Sequence, residues 1–190
     1  YDLASTAAQK TGEAAQGITK LYQSLTRDHP FRRVLEQTRK HHGPQAYPGS
    51  PMIAQSLLRP QDQLHLSELH PQEHSALRQA LKAKNTYIYQ RDGFDLAQSL
   101  TPPTPRRGLM LIDPSWEVKT DYTRLPVFVD GMLRKWNVGI IKIWYPLLRD
   151  LRHKPMIAAL RAQTEAPLVH EVRFPPARKD HGMIGSGLCV

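Results

Sequence analysis

The spacing of apolar positions changes partway along the chain. Up to about residue 38 it has the period of a helix. Ala14, Ile18, Leu21, Tyr22 and Leu25 recur at helical steps, and Phe31, Val34, Leu35 and Thr38 begin a second helix after Pro30. Gly43-Pro44 and Pro48-Gly49 then punctuate a loop. Beyond it, short apolar runs alternate with helical segments. Ser50 followed by Pro51 suits an N-cap and a first helical position, leading a helix from Met52 to Leu58. Strands are expected over Gln63 to Leu69, Thr86 to Gln90, Leu109 to Ile112 and Val138 to Trp144, with helices over 71–82, 94–100, 125–136 and 147–162. Two last strands, Leu168 to Phe174 and Met183 to Val190, are separated only by Pro175-Pro176 and a basic loop. They should pair antiparallel at one end of the sheet. The alternation predicts an α/β fold whose sheet is mostly parallel, covered by helices, with one antiparallel end.

Length and composition narrow this further. The 190 residues suit one domain, and 40% hydrophobic with 23% charged residues is a globular composition. The single cysteine, Cys189, excludes an intramolecular disulfide framework and a CxxC zinc site, which suits a reducing cytoplasm. No apolar run approaches the roughly 18 residues of a spanning helix. The chain opens on Tyr1 rather than Met and closes on Gly187-Leu188-Cys189-Val190, so it reads as the middle of a longer domain. The formal charge of +9 points weakly to a polyanionic partner. Partition sharpens it. Residues 1–46 hold seven basic and four acidic groups, residues 47–100 five of each, and residues 101–190 fourteen and eight. The excess lies in the flanks, and the middle is balanced.

In an open α/β sheet, ligands bind beyond the carboxyl ends of the strands. Three successive strands end on an acid here: Glu68, Asp92 and Asp113. Such acids accept hydrogen bonds from ribose hydroxyls or an adenine amino group, although each could instead cap a helix, and Asp92-Gly93 could be a plain turn. The third sits in Leu111-Ile112-Asp113-Pro114-Ser115-Trp116. An exocyclic amino nitrogen is a poor nucleophile, because its lone pair is delocalised into the ring. A carboxylate and an adjacent carbonyl can accept its two N–H groups as it attacks an electrophilic methyl. Proline fixes the backbone, and the aromatic ring offers a face for an extruded base. An Asp-Pro turn followed by a core tryptophan is the plainer alternative.

Asp113-Pro114-Ser115-Trp116 resembles the (Asp/Asn)-Pro-Pro-aromatic motif of amino-directed methyltransferases that use S-adenosylmethionine, with Ser115 in place of the second proline. Tyr47-Pro48-Gly49-Ser50-Pro51, Ser67-Glu68-Leu69-His70-Pro71, Arg91-Asp92-Gly93-Phe94, Arg106-Arg107-Gly108-Leu109, Lys119-Thr120-Asp121-Tyr122 and Trp144-Tyr145-Pro146 are similar, in order and nearly in spacing, to the bacterial RlmJ family. Gly182-Met183 through Ser186-Gly187 continues the match, so the resemblance covers essentially the whole chain. It implies a Rossmann-like class I methyltransferase core over residues 47–190, a helical insertion over 4–46, and residues 1–3 as the end of a donor loop. The first strand and the Gly-rich loop of that core would precede Tyr1.

It further implies methylation of the N6 amino group of a flipped adenine in 23S ribosomal RNA, before subunit assembly, by a cytoplasmic monomer. Ser50, Glu68, Asp92, Gly93 and Asp113 would hold S-adenosylmethionine. Asp113 would also be the catalytic acid, with Pro114 aiming the backbone and Trp116 supplying the stacking face. DNA adenine as substrate, or a non-enzymatic nucleic-acid-binding role linked to use of external DNA, are the alternatives. His41, His42, His65, His70 and His74 lack the companions of a metal site, and no membrane partner is expected. Arg106, Arg107, Arg134, Lys135, Arg149, Arg152, Lys154, Arg173, Arg178 and Lys179 are candidate phosphate clamps or simply a solvated face.

Overall fold

Proline marks the first turn of three helices in the first half of the chain, where its missing N–H would have had no intrahelical partner anyway. These are α2 (Pro30–His42), α3 (Ser50–Leu57) and α4 (Pro71–Ala80); α1 (Ile18–Ser24) precedes them. The computed structural model describes residue 3, residues 17–174 and residues 182–190. Ala14, most of the expected 4–46 insertion before residue 17, the Pro175-Pro176 loop, Arg178 and Lys179 lie outside the described residues. The chain divides into two units, residues 1–92 and 93–190.

In the first unit, α2 buries Val34, Leu35 and Thr38 on one stripe. The ring of His29 accepts the Phe31 N–H at its start, and Gly43 (φ 100°) ends it with a bond to the Arg39 carbonyl. Strands β1 (Leu64–Ser67) and β2 (Thr86–Tyr89) pair parallel, Leu64 opposite Thr86 and Ser67 opposite Tyr89, with α4 as the crossover. The Gln55 side chain of α3 donates to the Thr86 hydroxyl at 3.0 Å. One expectation shifts here. The N-cap of α3 is Gly49, so Ser50 is the first helical residue and its side chain makes no capping bond.

The second unit contains α5 (Gly93–Leu100), β3 (Leu109–Ile112), α6 (Asp121–Lys135), β4 (Ile140–Leu148), α7 (His153–Arg161), β5 (Val169–Arg173) and β6 (Met183–Cys189). Its sheet has the order β3-β4-β6-β5. β3 and β4 are parallel; β6 runs antiparallel to both β4 and β5. The last two strands therefore pair as expected, with β6 inside and β5 at the edge. "Mostly parallel" is too strong for the described residues, which form two parallel and two antiparallel pairings in separate two- and four-stranded sheets. The reason is local: no helix separates β5 from β6, so the chain reverses without a crossover.

A core of Leu125, Val129 and Met132 from α6, Ile143, Tyr145 and Leu147 from β4, Met156 and Leu160 from α7, and Cys189 packs beneath this sheet. β4 runs to Leu148, longer than the expected end at Trp144, and α7 starts only at His153 rather than near Leu147. Pro146 is tolerated because β3 flanks β4 only as far as Ile143, so on that edge no ladder bond is lost. Pro126 lies inside α6, and its carbonyl accepts the Gln163 amide at 2.8 Å.

Candidate active site

Parallel, in-register pairing of β1 and β2 puts their carboxyl ends side by side, and Glu68 and Asp92 follow those ends. The Glu68 N–H extends the ladder to the Tyr89 carbonyl at 3.0 Å. Its carboxylate accepts the His70 N–H at 2.8 Å and braces the turn into α4, whose N-cap is His70 and which has no side-chain capping bond. The Ser67 hydroxyl donates to the Arg91 carbonyl and ties the two loops together. Ser50 is exposed at the start of α3, next to Pro48, which is fully buried. Glu68 and Asp92 themselves bring two carboxylate acceptors to neighbouring strand ends. That chemistry fits a ligand rich in donors and carrying positive charge, as S-adenosylmethionine does through its hydroxyls, amino groups and sulfonium.

Gly93, the first residue of α5, opens the second unit. There the apolar strand β3 ends on Asp113-Pro114-Ser115-Trp116. Asp113 is exposed as a residue, yet partial desolvation of its carboxyl pushes it above the usual carboxylate range. The Trp116 indole N–H works slightly against this, lying close enough to favour the charged carboxylate. It falls outside ordinary hydrogen-bond geometry, however, and the buried Nε1 has no partner. The Ser115 carbonyl accepts the Val118 N–H at 3.1 Å, and the Val118 carbonyl accepts the Asp121 N–H at 3.0 Å, leading straight into α6.

Tyr122, on the first turn of α6, is the residue that sequence reasoning gave no role. Its ring lies 4.9 Å from that of Trp116, tilted by 51°. The ring is buried, and its hydroxyl, pushed up by burial, has no hydrogen-bond partner. Arg152, paired with Asp150, stands 5.9 Å from the Tyr122 ring. The signal available beforehand was Lys119-Thr120-Asp121-Tyr122, which carried the resemblance without a function attached. The Trp116–Tyr122 pair thus holds two buried polar atoms without partners, in the segment that follows a carboxyl whose pKa is raised.

Parallel βα units with acids at strand ends, and an acid-proline-aromatic loop after β3, define a mixed α/β chain consistent with a methyltransferase-like fold. A family model described as "Ribosomal RNA large subunit methyltransferase D, RlmJ" matches residues 1–190, and the chain belongs to this RlmJ family of methyltransferases. Ribosomal RNA large subunit methyltransferase J of Escherichia coli strain K12 is 35% identical over 197 residues, covering 100% of this chain and 70% of the relative. The protein of the same name from Haemophilus influenzae is 33% identical over 196 residues, again covering 100% and 70%. A crystal structure of a Legionella pneumophila protein superposes with a TM-score of 0.81 at 29% identity, covering 100% of this chain and 71% of that one. Among the described residues, no helix is long and apolar enough to cross a membrane.

Proposed function

We propose that this protein methylates the exocyclic N6 amino group of one adenine in 23S ribosomal RNA, using S-adenosylmethionine, on a base turned out of its helix before the subunit is assembled. The observation that carries the reading is the loop after β3. Asp113 leaves an apolar strand with its carboxyl pushed up, and Trp116 lies against Tyr122. The relatives' names supply the large-subunit RNA.

In this reading Trp116 gives the extruded base a face to stack on, and Tyr122 backs that face. The Asp113 carboxylate and the backbone carbonyl beside Pro114 accept the two N–H groups of the base. The nitrogen lone pair is thereby turned toward the methyl group. S-adenosylmethionine, when bound, supplies an electrophilic methyl on a sulfonium that leaves as a neutral thioether. As the N–C bond forms and the C–S bond breaks, the nitrogen becomes cationic and sheds one proton. Asp113 is placed to take it, and a carboxyl with a raised pKa is a better base for that step. Ser50, Glu68, Asp92 and Gly93 are assigned to the donor, with the protein acting as a cytoplasmic monomer.

The test is methyl transfer from labelled donor to unmodified 23S RNA by the full-length protein and its Asp113→Ala variant, with donor binding followed by calorimetry. The variant should bind donor and keep its melting temperature while losing at least about a hundredfold in rate. Full activity would overturn the mechanism, and preference for DNA over RNA in the same assay would move the substrate to DNA adenine.

A further inference from the structure

The helical segment ahead of residue 47 contains a pocket that the chemistry above does not use. Residues 17–46 carry six basic side chains against two acidic ones, so the segment as a whole is cationic. Within it the Tyr22 ring is flanked by two guanidinium groups, with Arg32 4.7 Å and Arg39 5.1 Å from the ring centre. The two arginines differ in what else they hold. Arg32 is fully engaged: its Nε donates to Glu36 at 2.8 Å, and its other arm donates to the Leu25 carbonyl at 2.7 Å. Glu36 is engaged in turn, accepting the Tyr22 hydroxyl at 2.8 Å.

Arg39 shows no such pairing among the described residues. Its Nε is buried without a hydrogen-bond partner, and no acidic group pairs with it among the described residues. It lines an open depression of about 400 Å³ with Thr19, Tyr22, Gln23 and Gln45. A buried guanidinium donor with nothing to donate to is expensive to keep, and the same fork satisfied by an anion is among the strongest pairs available. Tyr22 fixes its plane, so little side-chain freedom is lost when a ligand arrives. The neighbouring Gln23 and Gln45 amides are the usual companions of arginine around a phosphate.

We infer that the Arg39 pocket binds a phosphodiester group of the RNA strand, at a site separate from the residues assigned to methyl transfer. The inference rests on the RNA-directed reading above. A phosphate seated on Arg39 would position the substrate strand without taking part in chemistry, so its signature is in RNA affinity and salt dependence.

Full-length protein is the material for the test. Arg39→Gln should lower affinity for a 23S fragment about tenfold at fixed salt, and reduce the slope of log K against log salt by about one. The RNA KM should rise while kcat and donor affinity stay near wild type. Gln45→Glu guards against a folding artefact, because it is an exposed change that places a repelling carboxylate in the same pocket. It should weaken RNA in the same direction. Lys40→Gln, one residue along and exposed, serves as the control for general charge. Unchanged affinity in both pocket variants would overturn the site, as would an equal loss in Lys40→Gln, which would reduce the effect to a diffuse field. A wild-type protein that binds RNA through Arg39 but methylates none would instead remove the catalytic reading and leave the site standing.

Discussion

Gly187 is a position in the second unit where a single added methyl group should be costly. It sits on β6 directly between Tyr145 of β4 and Glu171 of β5, in one row across three strands. With no side chain in the way, the Tyr145 ring lies over the glycine and its hydroxyl donates to Glu171 at 2.9 Å. Tyr145 is fully buried, and a Cβ on residue 187 would stand 2.5 Å from its Cε2 and 2.7 Å from its hydroxyl oxygen, with Cζ closer still. The ring would have to move, and it is walled in by the core. Overpacking of this kind costs about 1–3 kcal/mol, and loss of the bond to a carboxylate adds about 1.5–3 kcal/mol. Against this, alanine stiffens the unfolded chain and returns about 0.4–1 kcal/mol. Gly187→Ala should therefore destabilise by about 1.5–5.5 kcal/mol, a drop of roughly 3–20 °C in melting temperature for a chain of this size. Urea and thermal unfolding of the full-length protein would measure it. A double-mutant cycle with Tyr145→Leu sharpens the test, since the clash disappears with the ring and the two changes should cost less together than their sum. A shift below about 0.5 kcal/mol in Gly187→Ala would refute the packing argument.

Two further outcomes concern the site. The Asp113 carboxyl titrates above its unfolded value, so the native state holds its proton more tightly, and this group's contribution to stability is lost as pH rises through the native pKa. Methyl transfer should run the opposite way, rising across the same window as the carboxylate forms. Asp113→Asn should abolish the activity limb and flatten the stability limb in matched pH titrations; a variant clearly less stable than wild type at neutral pH would contradict this. Glu68→Gln separates two roles of one side chain. The amide oxygen can still accept the His70 N–H, so the melting temperature should hold within a few degrees, whereas donor affinity measured by calorimetry should fall about tenfold.

What the sequence made legible was local. β3 was placed to the residue because four apolar positions are bounded by Gly108 and Asp113, and the strand-end acids follow from the same reading. Pairing was less accessible. A run such as Met183–Cys189 carries no mark of whether it lies at an edge or inside, and its two buried glycines, Gly185 and Gly187, take their meaning only from the side chains that cross them. β4 continues through Pro146 to Leu148, beyond the expected end at Trp144, because with β3 absent past Ile143 proline is harmless there. The cap of α3 falls on Gly49, one residue before Ser50, within the ordinary slack of helix ends. Tyr122 beneath Trp116, and the unsatisfied Nε of Arg39 beside Tyr22, are products of tertiary approach that no spacing rule encodes.

The inside position of β6 also sets an order of events for a chain made from its N-terminus. Among the described residues β5 pairs with β6 alone, and β4 beyond Ile143 has no other neighbour. Until residues 183–189 have left the ribosome, the Tyr145 hydroxyl lacks the row that carries it to Glu171, and β5 has an unpaired backbone. The second unit therefore cannot close its sheet progressively during synthesis. It must wait for β6 and then make several long-range pairings at once. A ribosome-stalled chain ending just before Met183 would expose β4 and β5 as open edges, the form of this protein most prone to capture by a chaperone or by another copy of itself.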